Sequence, residues 1–454
     1  MPAPKTTRSL LALGALLAAA FAVYGSLVPL HVRHVPLSDA IAQFRAVEYI
    51  PFAAASKTDF LSNVVLFLPI GFLVTGAIAA GRSRLVGAVL FPLVTLAAFA
   101  FSVGIEFSQI FVIGRTPSYN DIVNETIGAA LGALVWPPLG GVVTRWLQGL
   151  APATGSRTEM ARRVLTGYAV LWLLLGLLPF DVTIRPAELA EKFRMHRIRI
   201  VPLHDGLLAG SEVITSTALL AIPVGALAAL GWPRSRRVPN AVAGAIGGTL
   251  VVAVLECCQL FVFSRTASVD DVIGGAIGAS AGAWLAARLA GSNDSATSPG
   301  RLRFWPLVLL LAWVLVILLR HWAPFNFAVT GDMWRARWPA LAQVPFSNYY
   351  WANPFDALTE AITKVFLGLP VGVLLALAVP RPAATVWRWL RLAAFAAIAL
   401  ALFTSVELGQ VFLPSRYPDG TDIVLGTLGV WLGLAGDFLI RSGIGDDTPT
   451  RRST

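Results

Sequence analysis

The stretch that decides the fold is residues 106–132, EFSQIFVIGRTPSYNDIVNETIGAALG. It recurs twice. Glu106, Gln109, Arg115, Asp121, Gly128 and Gly132 return as Glu256, Gln259, Arg265, Asp271, Gly278 and Gly282. They return again as Glu407, Gln410, Arg416, Asp422, Gly429 and Gly433. Glu to Arg spans nine residues in every copy and Glu to Asp fifteen, and the copies lie 150 and 151 residues apart. A fixed internal period marks repeated structural units. The same Glu, Arg and Asp recur in a chain that otherwise avoids charge. Ionisable residues in apolar segments are costly and are functional candidates by default.

Composition sets the class. Of 454 residues, 56% are hydrophobic and only 13% charged, and mean hydropathy is +0.71. Soluble domains carry about 25% charged residues. Uncharged runs such as 169–178 and 307–319 point to an all-α, polytopic transmembrane helical protein and exclude a soluble enzyme. The net charge is +10 and the pI 10.2. The basic residues are mostly Arg at the ends of apolar segments, which assigns them to topology and to membrane lipid as partner, not to nucleic acid. Cys257 and Cys258 are adjacent, so they offer neither a disulfide framework nor metal-ligand spacing. No cofactor and no metal is expected.

Around each copy the apolar pattern predicts four spans: 9–30, 60–80, 84–112 and 119–139; 163–180, 211–231, 239–263 and 269–289; 304–322, 356–379, 387–413 and 421–440. That makes about 12 spans in three four-helix units: module 1 (1–147), module 2 (159–290) and module 3 (301–441), with a disordered tail at 442–454. Linkers at 148–158 and 291–300 are rich in Gly, Ser, Ala, Thr and Pro. Residues 1–30 resemble a signal peptide. Comparable segments open the other modules, so the first is read as a retained helix. Every second span carries Pro-x-Gly (Pro69/Gly71, Pro223/Gly225, Pro370/Gly372), and every fourth span carries Gly-x-x-x-Gly. Both suit close packing; the proline also suits a kink beside a cavity.

With four spans per module, Lys5, Arg8, Arg82, Arg84, Arg234, Arg236, Arg237 and Arg381 share one side with the linker arginines. That side is expected to be cytoplasmic. The expectation is a multi-pass protein of the bacterial cytoplasmic membrane, N-terminus inside and the Glu–Arg–Asp hairpins facing outward. Arg194, Arg197 and Arg199 fall on the outer side, in loops that also carry Asp39, Glu48 and Glu191. Leu37, Ile41, Phe44 and Val47, like Leu189, Phe193 and Ile198, recur near helical spacing, as in short interfacial helices that would roof the outward face.

Glu106 and Gln109 share a helix face. Ser118 or Asn120 suits an N-cap, and Asp121 in the first turn suits the helix dipole. Two readings stand: an Arg clamp in which Arg115 bridges Glu106 and Asp121, or a polar site for a head group, sugar or cation. Asn63, six residues before Pro69, aligns with Thr217 and Lys364, and Asn124 aligns with Gly274 and Leu425. Module 1 keeps more polar groups in its spans, which favours it as the working copy. Lys364 is expected to pair with Glu360 or to snorkel.

The ordered motif Asn63…Pro69-x-Gly71, Glu106-x-x-Gln109-x-Phe111, Arg115, Asn120-Asp121-Ile-Val-Asn124…Gly128 resembles the VanZ-like family. The resemblance covers module 1 best and extends through the chain as three tandem modules. It implies an integral envelope protein, with a namesake associated with resistance to the glycopeptide teicoplanin. The ligand candidates are Asn63, Glu106, Gln109, Arg115, Asp121 and Asn124, with repeat equivalents Glu256, Gln259, Arg265, Asp271, Glu407, Gln410, Arg416 and Asp422. The leading expectation is binding or shielding of a lipid-linked glycan or glycopeptide-type amphiphile. A transporter and a scaffold for envelope polysaccharide machinery are the alternatives. Catalysis is disfavoured: no His, Ser or Cys recurs at aligned site positions in all three modules, and no His-x-x-x-His pair or phosphate loop is present.

Overall fold

The computed structural model describes residues 5–49, 57–149, 157–178, 180–204, 206–232, 239–291, 304–351, 354–380, 382 and 384–442. The expected linkers, loop arginines 234, 236, 237 and 381, and tail lie wholly or largely outside these residues. Each module contains four long helices and one short helix after the first. Module 1 holds α1 (Lys5–Leu27), α2 (Leu37–Arg45), α3 (Lys57–Ala79), α4 (Arg84–Gln109) and α5 (Tyr119–Gln148). Module 2 holds α6 (Arg157–Gly176), α7 (Pro186–Arg194), α8 (Leu207–Gly231), α9 (Asn240–Gln259) and α10 (Val269–Gly291). Module 3 holds α11 (Phe304–Trp322), α12 (Gly331–Leu341), α13 (Pro354–Ala378), α14 (Thr385–Val411) and α15 (Gly420–Ser442).

Among the described residues, eight helices are long and apolar enough to cross a membrane: α1, α3, α4, α5, α8, α9, α13 and α14. Two shorter apolar helices cover Pro306–Trp322 and Gly420–Ala435. Helices α6 and α10 join neither group; Arg162 and Arg163 charge the start of one, and Asp270, Asp271 and Arg288 the ends of the other. The fold is an all-α polytopic membrane fold, with eight candidate spans by length and composition among the described residues.

The third helices end before the expected spans do. Helix α4 stops at Gln109, α9 at Gln259 and α14 at Val411. The apolar residues that follow form turns pinned to the segment after the first helix. Val32 bridges Val112 and Val182 bridges Val262, and the Ala328 amide donates to the Phe412 carbonyl at 2.7 Å. Apolar composition alone does not separate such a turn from a helix end. Helix α5 runs past the expected end at 139, through Pro137 and Pro138.

By packing, the chain divides into two compact units, residues 1–148 with 344–357, and residues 149–343 with 358–454. In the first, the Tyr24 hydroxyl donates to the Pro345 carbonyl at 2.8 Å, and Phe346 packs edge-on against Phe21 and Tyr24. Its core is built on Ala22, Phe67, Ile70, Ala98, Ile105 and Ala129. The second unit has one core around Trp172, Val224, Val252 and Leu255 and another around Trp313, Ile317, Phe395 and Phe403.

The second and fourth helices of each module touch backbone to backbone. A methyl group on Gly132 would fall inside the van der Waals radius of the Leu68 carbonyl oxygen, and one on Gly71 inside that of Ala129. Gly282 and Gly225 stand in the same relation to Ile222 and Ala279, and Gly433 and Gly372 to Leu369 and Val430. The Gly of Pro-x-Gly and the Gly-x-x-x-Gly pair are thus two sides of one interface, where glycine is the residue that lets the helices meet.

Candidate functional site

The hairpin between the third and fourth helices is built alike three times. The fourth helix opens on an N-cap: Ser118 Oγ accepts the Asp121 amide at 3.3 Å, Ser268 Oγ the Asp270 amide at 3.1 Å, and Asp419 Oδ1 the Thr421 amide at 2.8 Å. These side chains satisfy N–H groups that lack partners within their own helix. The repeated Glu takes the N–H of the capping residue itself. Glu106 Oε2 accepts from Ser118 at 2.7 Å, Glu256 from Ser268 at 2.8 Å and Glu407 from Asp419 at 2.8 Å. Glu106 and Glu407 are 1% exposed and Glu256 8%, so each is a buried staple between two helices. Gln109 donates to Glu106 Oε1 at 2.7 Å. Gln259 differs, donating to the Gly176 carbonyl at 3.0 Å. Gln410 is buried at the equivalent place.

The repeated Asp pairs with the aligned residue of the second helix in every module. Asn63 Nδ2 donates to Asp121 Oδ1 at 2.7 Å, Thr217 Oγ1 to Asp271 Oδ1, and Lys364 Nζ to Asp422 Oδ1 at 2.5 Å. Asn, Thr and Lys are therefore three donors for one carboxylate. Aligned by sequence, Thr217 and Lys364 read as a loss of polarity; the contact corrects this, since each remains a donor. Lys364 also pairs with Glu360 at 2.8 Å.

The repeated Arg reaches elsewhere than the clamp reading placed it. Arg115 donates to the Val28 and Gly25 carbonyls at 2.6 Å each. Arg265 donates to those of Leu178 (2.5 Å) and Leu175 (3.4 Å), and Arg416 to those of Ala323 (2.8 Å) and Arg320 (3.3 Å). These carbonyls end the first helix of each module, the negative end of its dipole. A planar fork of donors matches two carbonyls three residues apart. Arg265 also reaches Thr359 Oγ1 at 3.2 Å. The carboxylates meanwhile are held by amides, an N-cap and the second helix.

A second cation, missed in the sequence, holds the end of the third helix. Lys192 of α7 is fully buried and donates to the carbonyls of Gln259 (2.5 Å), Leu260 (3.2 Å) and Val262 (2.6 Å). Arg337 of α12 donates to those of Gln410, Leu413 and Arg416. Module 1 has the exposed Gln43 at this place in α2, and Arg33 donates to the Ile110 carbonyl at 2.7 Å instead. Helix α2 rests on aromatic contacts, Phe44 against Phe107 and Tyr119.

Module 1 departs from the others one turn deeper. Ser102 Oγ donates to Glu125 Oε2 at 2.5 Å. Ser102 is 0% and Glu125 2% exposed, with Asn124 at 8% beside them. In module 2 the two positions are Val252 and Gly275, and in module 3 Phe403 and Gly426. A methyl group on Gly275 would lie 2.6 Å from the Val252 side chain, and one on Gly426 would strike the Phe403 ring. Two modules thus seal with apolar packing the place where module 1 buries a carboxylate. Glu106, Asp121 and Glu125 lie close enough to act on one another electrostatically. Glu125 was legible in principle: aligning residue 125 with 275 and 426 shows one Glu against two Gly.

Comparison with known proteins places this architecture. A family model for VanZ/LLP1 matches residues 12–142, 165–290 and 305–441. The chain belongs to the VanZ/LLP1 family. It is a membrane protein of three tandem VanZ-like modules, and the matched stretches contain each Glu, Arg and Asp described above. No curated protein and no solved structure matches the chain.

Proposed function

We propose that VanZ-like module 1 is the binding module, and that it takes the polar head of an envelope amphiphile, of the lipid-linked glycan or glycopeptide type. It does so at the outer face of the bacterial cytoplasmic membrane, with the N-terminus inside. Modules 2 and 3 serve as scaffold. One observation carries this reading: the buried Ser102–Glu125 pair, replaced by Val252–Gly275 and Phe403–Gly426 contacts in the other modules. A carboxylate inside an apolar bundle costs several kcal/mol and marks ligand or ion pathways. The staple formed by Glu106, Glu256 and Glu407 recurs everywhere and accounts for fold. Beside the Asn63–Asp121 pair, module 1 adds Asn124 and Glu125 on α5, where the other modules have Gly274 and Gly275 or Leu425 and Gly426. The role we propose for them is binding.

The test is a set of variants at equal membrane abundance, read by teicoplanin susceptibility and by retention of lipid-linked glycan on purification. Glu125→Gln and Asn124→Leu should abolish both effects, while Asp271→Asn spares them. Module 1 variants that behave as wild type would overturn the proposal.

A transport reading draws on the same polar groups, Asp121 and Glu125. It predicts proton-coupled uptake into liposomes that Glu125→Gln stops; binding without uptake decides against it.

A further inference from the structure

Helix α14 opens with an aromatic and basic turn, Thr385, Val386, Trp387, Arg388, Trp389 and Leu390, and all six residues are exposed. Trp387 is 63% exposed and Trp389 69%. At 3.6 residues per turn these side chains point all round the helix, so no side of this turn is packed away. Arg388 stands midway between the two indoles, about 100° from each. Module 1 differs. Its aligned residues are Val86, Gly87 and Ala88, and a methyl group on Gly87 would lie 3.3 Å from the Trp136 side chain. That turn rests on α5, whereas the turn in module 3 faces its surroundings.

Helix length sets the depth of this turn. The Trp322 indole donates to the Val406 carbonyl at 3.0 Å, so the ends of α11 and α14 lie together. Trp387 comes nineteen residues before Val406, and Phe304 eighteen before Trp322. Both distances are about 27–29 Å at 1.5 Å per residue, and the hydrocarbon core of a bilayer is about 30 Å thick. The exposed Phe304, Trp387 and Trp389 therefore stand at one edge of it, where aromatic side chains meet head groups. Charge here has one sign. No Asp or Glu occurs between Glu360 and Glu407, whereas Arg381, Arg388 and Arg391 fall around this turn. Arg391 donates to the Val379 carbonyl at 2.8 Å and lies over the Phe395 ring. Arg388 donates through Nε to the Pro382 carbonyl at 3.1 Å, which uses one of its five N–H donors.

We infer that the first turns of α14 form a docking surface for an anionic phospholipid, whose phosphate meets Arg388 and whose glycerol and upper chains lie against Trp387 and Trp389. Charge and depth together choose this occupant. A guanidinium matches phosphate, and basic residues beside a membrane span favour anionic over zwitterionic head groups. A partner on one side would leave apolar side chains on the other side in water; a bilayer covers every side. Neither of the other modules has Trp at the aligned places, so the surface belongs to module 3. It stands independently of the reading of module 1.

The test uses the full chain in phosphatidylcholine nanodiscs that carry a minor share of phosphatidylglycerol. Native mass spectrometry counts the lipid retained on release. Wild type should retain phosphatidylglycerol about fivefold above its share. Arg388→Gln should bring it down to that share, and Arg388→Lys should keep the preference. Arg145→Gln, which removes an exposed arginine of α5, should leave it unchanged. A second measurement does not depend on retention. Brominated phosphatidylglycerol should quench tryptophan emission more than brominated phosphatidylcholine at equal share, and the excess should vanish in the Trp387→Phe, Trp389→Phe double variant. Equal retention of the two lipids in wild type overturns the inference. So does a preference that survives Arg388→Gln, is lost in Arg388→Lys or falls as far in Arg145→Gln, and so does a quenching excess that persists in the double variant. Displacement of the lipid by soluble glycerophosphate, or a dimer that Trp387→Ala breaks, would put another occupant on this face and overturn it as well.

Discussion

The Ser102 hydroxyl on α4 donates a 2.5 Å hydrogen bond to the Glu125 carboxylate on α5, and both side chains are buried. Removing one partner strands the other where no water replaces it. Ser102→Val should cost about 1–3 kcal/mol of stability. Adding Glu125→Ala should recover part of that, with a coupling of about 0.5–3 kcal/mol between the two sites. Denaturant unfolding of the four chains of this cycle in detergent measures it; strictly additive losses would show that the pair does not act as a unit.

The helix interface of each module sets a size limit. Gly132→Ala drives a methyl group into the Leu68 carbonyl and should destabilise by about 1–3 kcal/mol, the usual cost of overpacking. Gly104 lies on the exposed face of α4, and a methyl group added there would meet nothing within 4 Å. Gly104→Ala should be neutral or stabilising by up to about 1 kcal/mol. Thermal unfolding of the two variants should rank them in that order.

Arg115 holds the end of α1 through two carbonyls, at Val28 and Gly25. Lysine keeps the charge but not the fork. Arg115→Lys should lose about 0.5–1.5 kcal/mol, and Arg115→Met more, since both carbonyls lose their donor. Amide exchange should quicken in the last turn of α1 and in the Val32–Val112 bridge. Unchanged exchange there would show that the contact adds nothing.

Lys192 gives the second module a pH signature. Burial pulls its ammonium from 10.5 down to about 8; Arg197 adds to this while Asp181 and Glu256 oppose it. The folded chain therefore sheds this proton before the unfolded chain does. Between pH about 8 and 10.5 the unfolded state holds more protons, so stability should rise with pH across that window. Below it both states are charged and the burial penalty is present in full. Lys192→Met should flatten this slope and also cost stability, because the Gln259, Leu260 and Val262 carbonyls lose a donor. Equal slopes in wild type and Lys192→Met would refute the assignment.

Much of the frame is legible in the residues alone. The apolar runs foretell each long helix, and the three copies of Glu, Gln, Arg and Asp locate the hairpins. The amphipathic spacing of Leu37, Ile41 and Phe44 foretells α2. The ordered motif around Asn63, Glu106 and Asp121 already resembles the VanZ-like family. The misreadings concern partners. Arg115 stands six residues before Asp121, which makes a clamp the natural expectation, yet its hydrogen bonds reach back 87 and 90 residues to the end of α1. Thr217 and Lys364 look like erosion because neither is an amide; both are donors to the same Asp.

The sequence by itself determined the membrane class, the threefold repeat, the helices and the family. These follow from local quantities: apolar run length, periodicity and motif order, each held within a few tens of residues. The tertiary structure decided which polar group meets which. In an apolar bundle every buried donor and acceptor must find a partner, and that partner lies on another helix, at a distance along the chain that no local pattern encodes. That is how the repeated Glu resolves into a staple, the repeated Arg into a cap on the first helix, and Ser102 with Glu125 into the feature that separates module 1 from its copies.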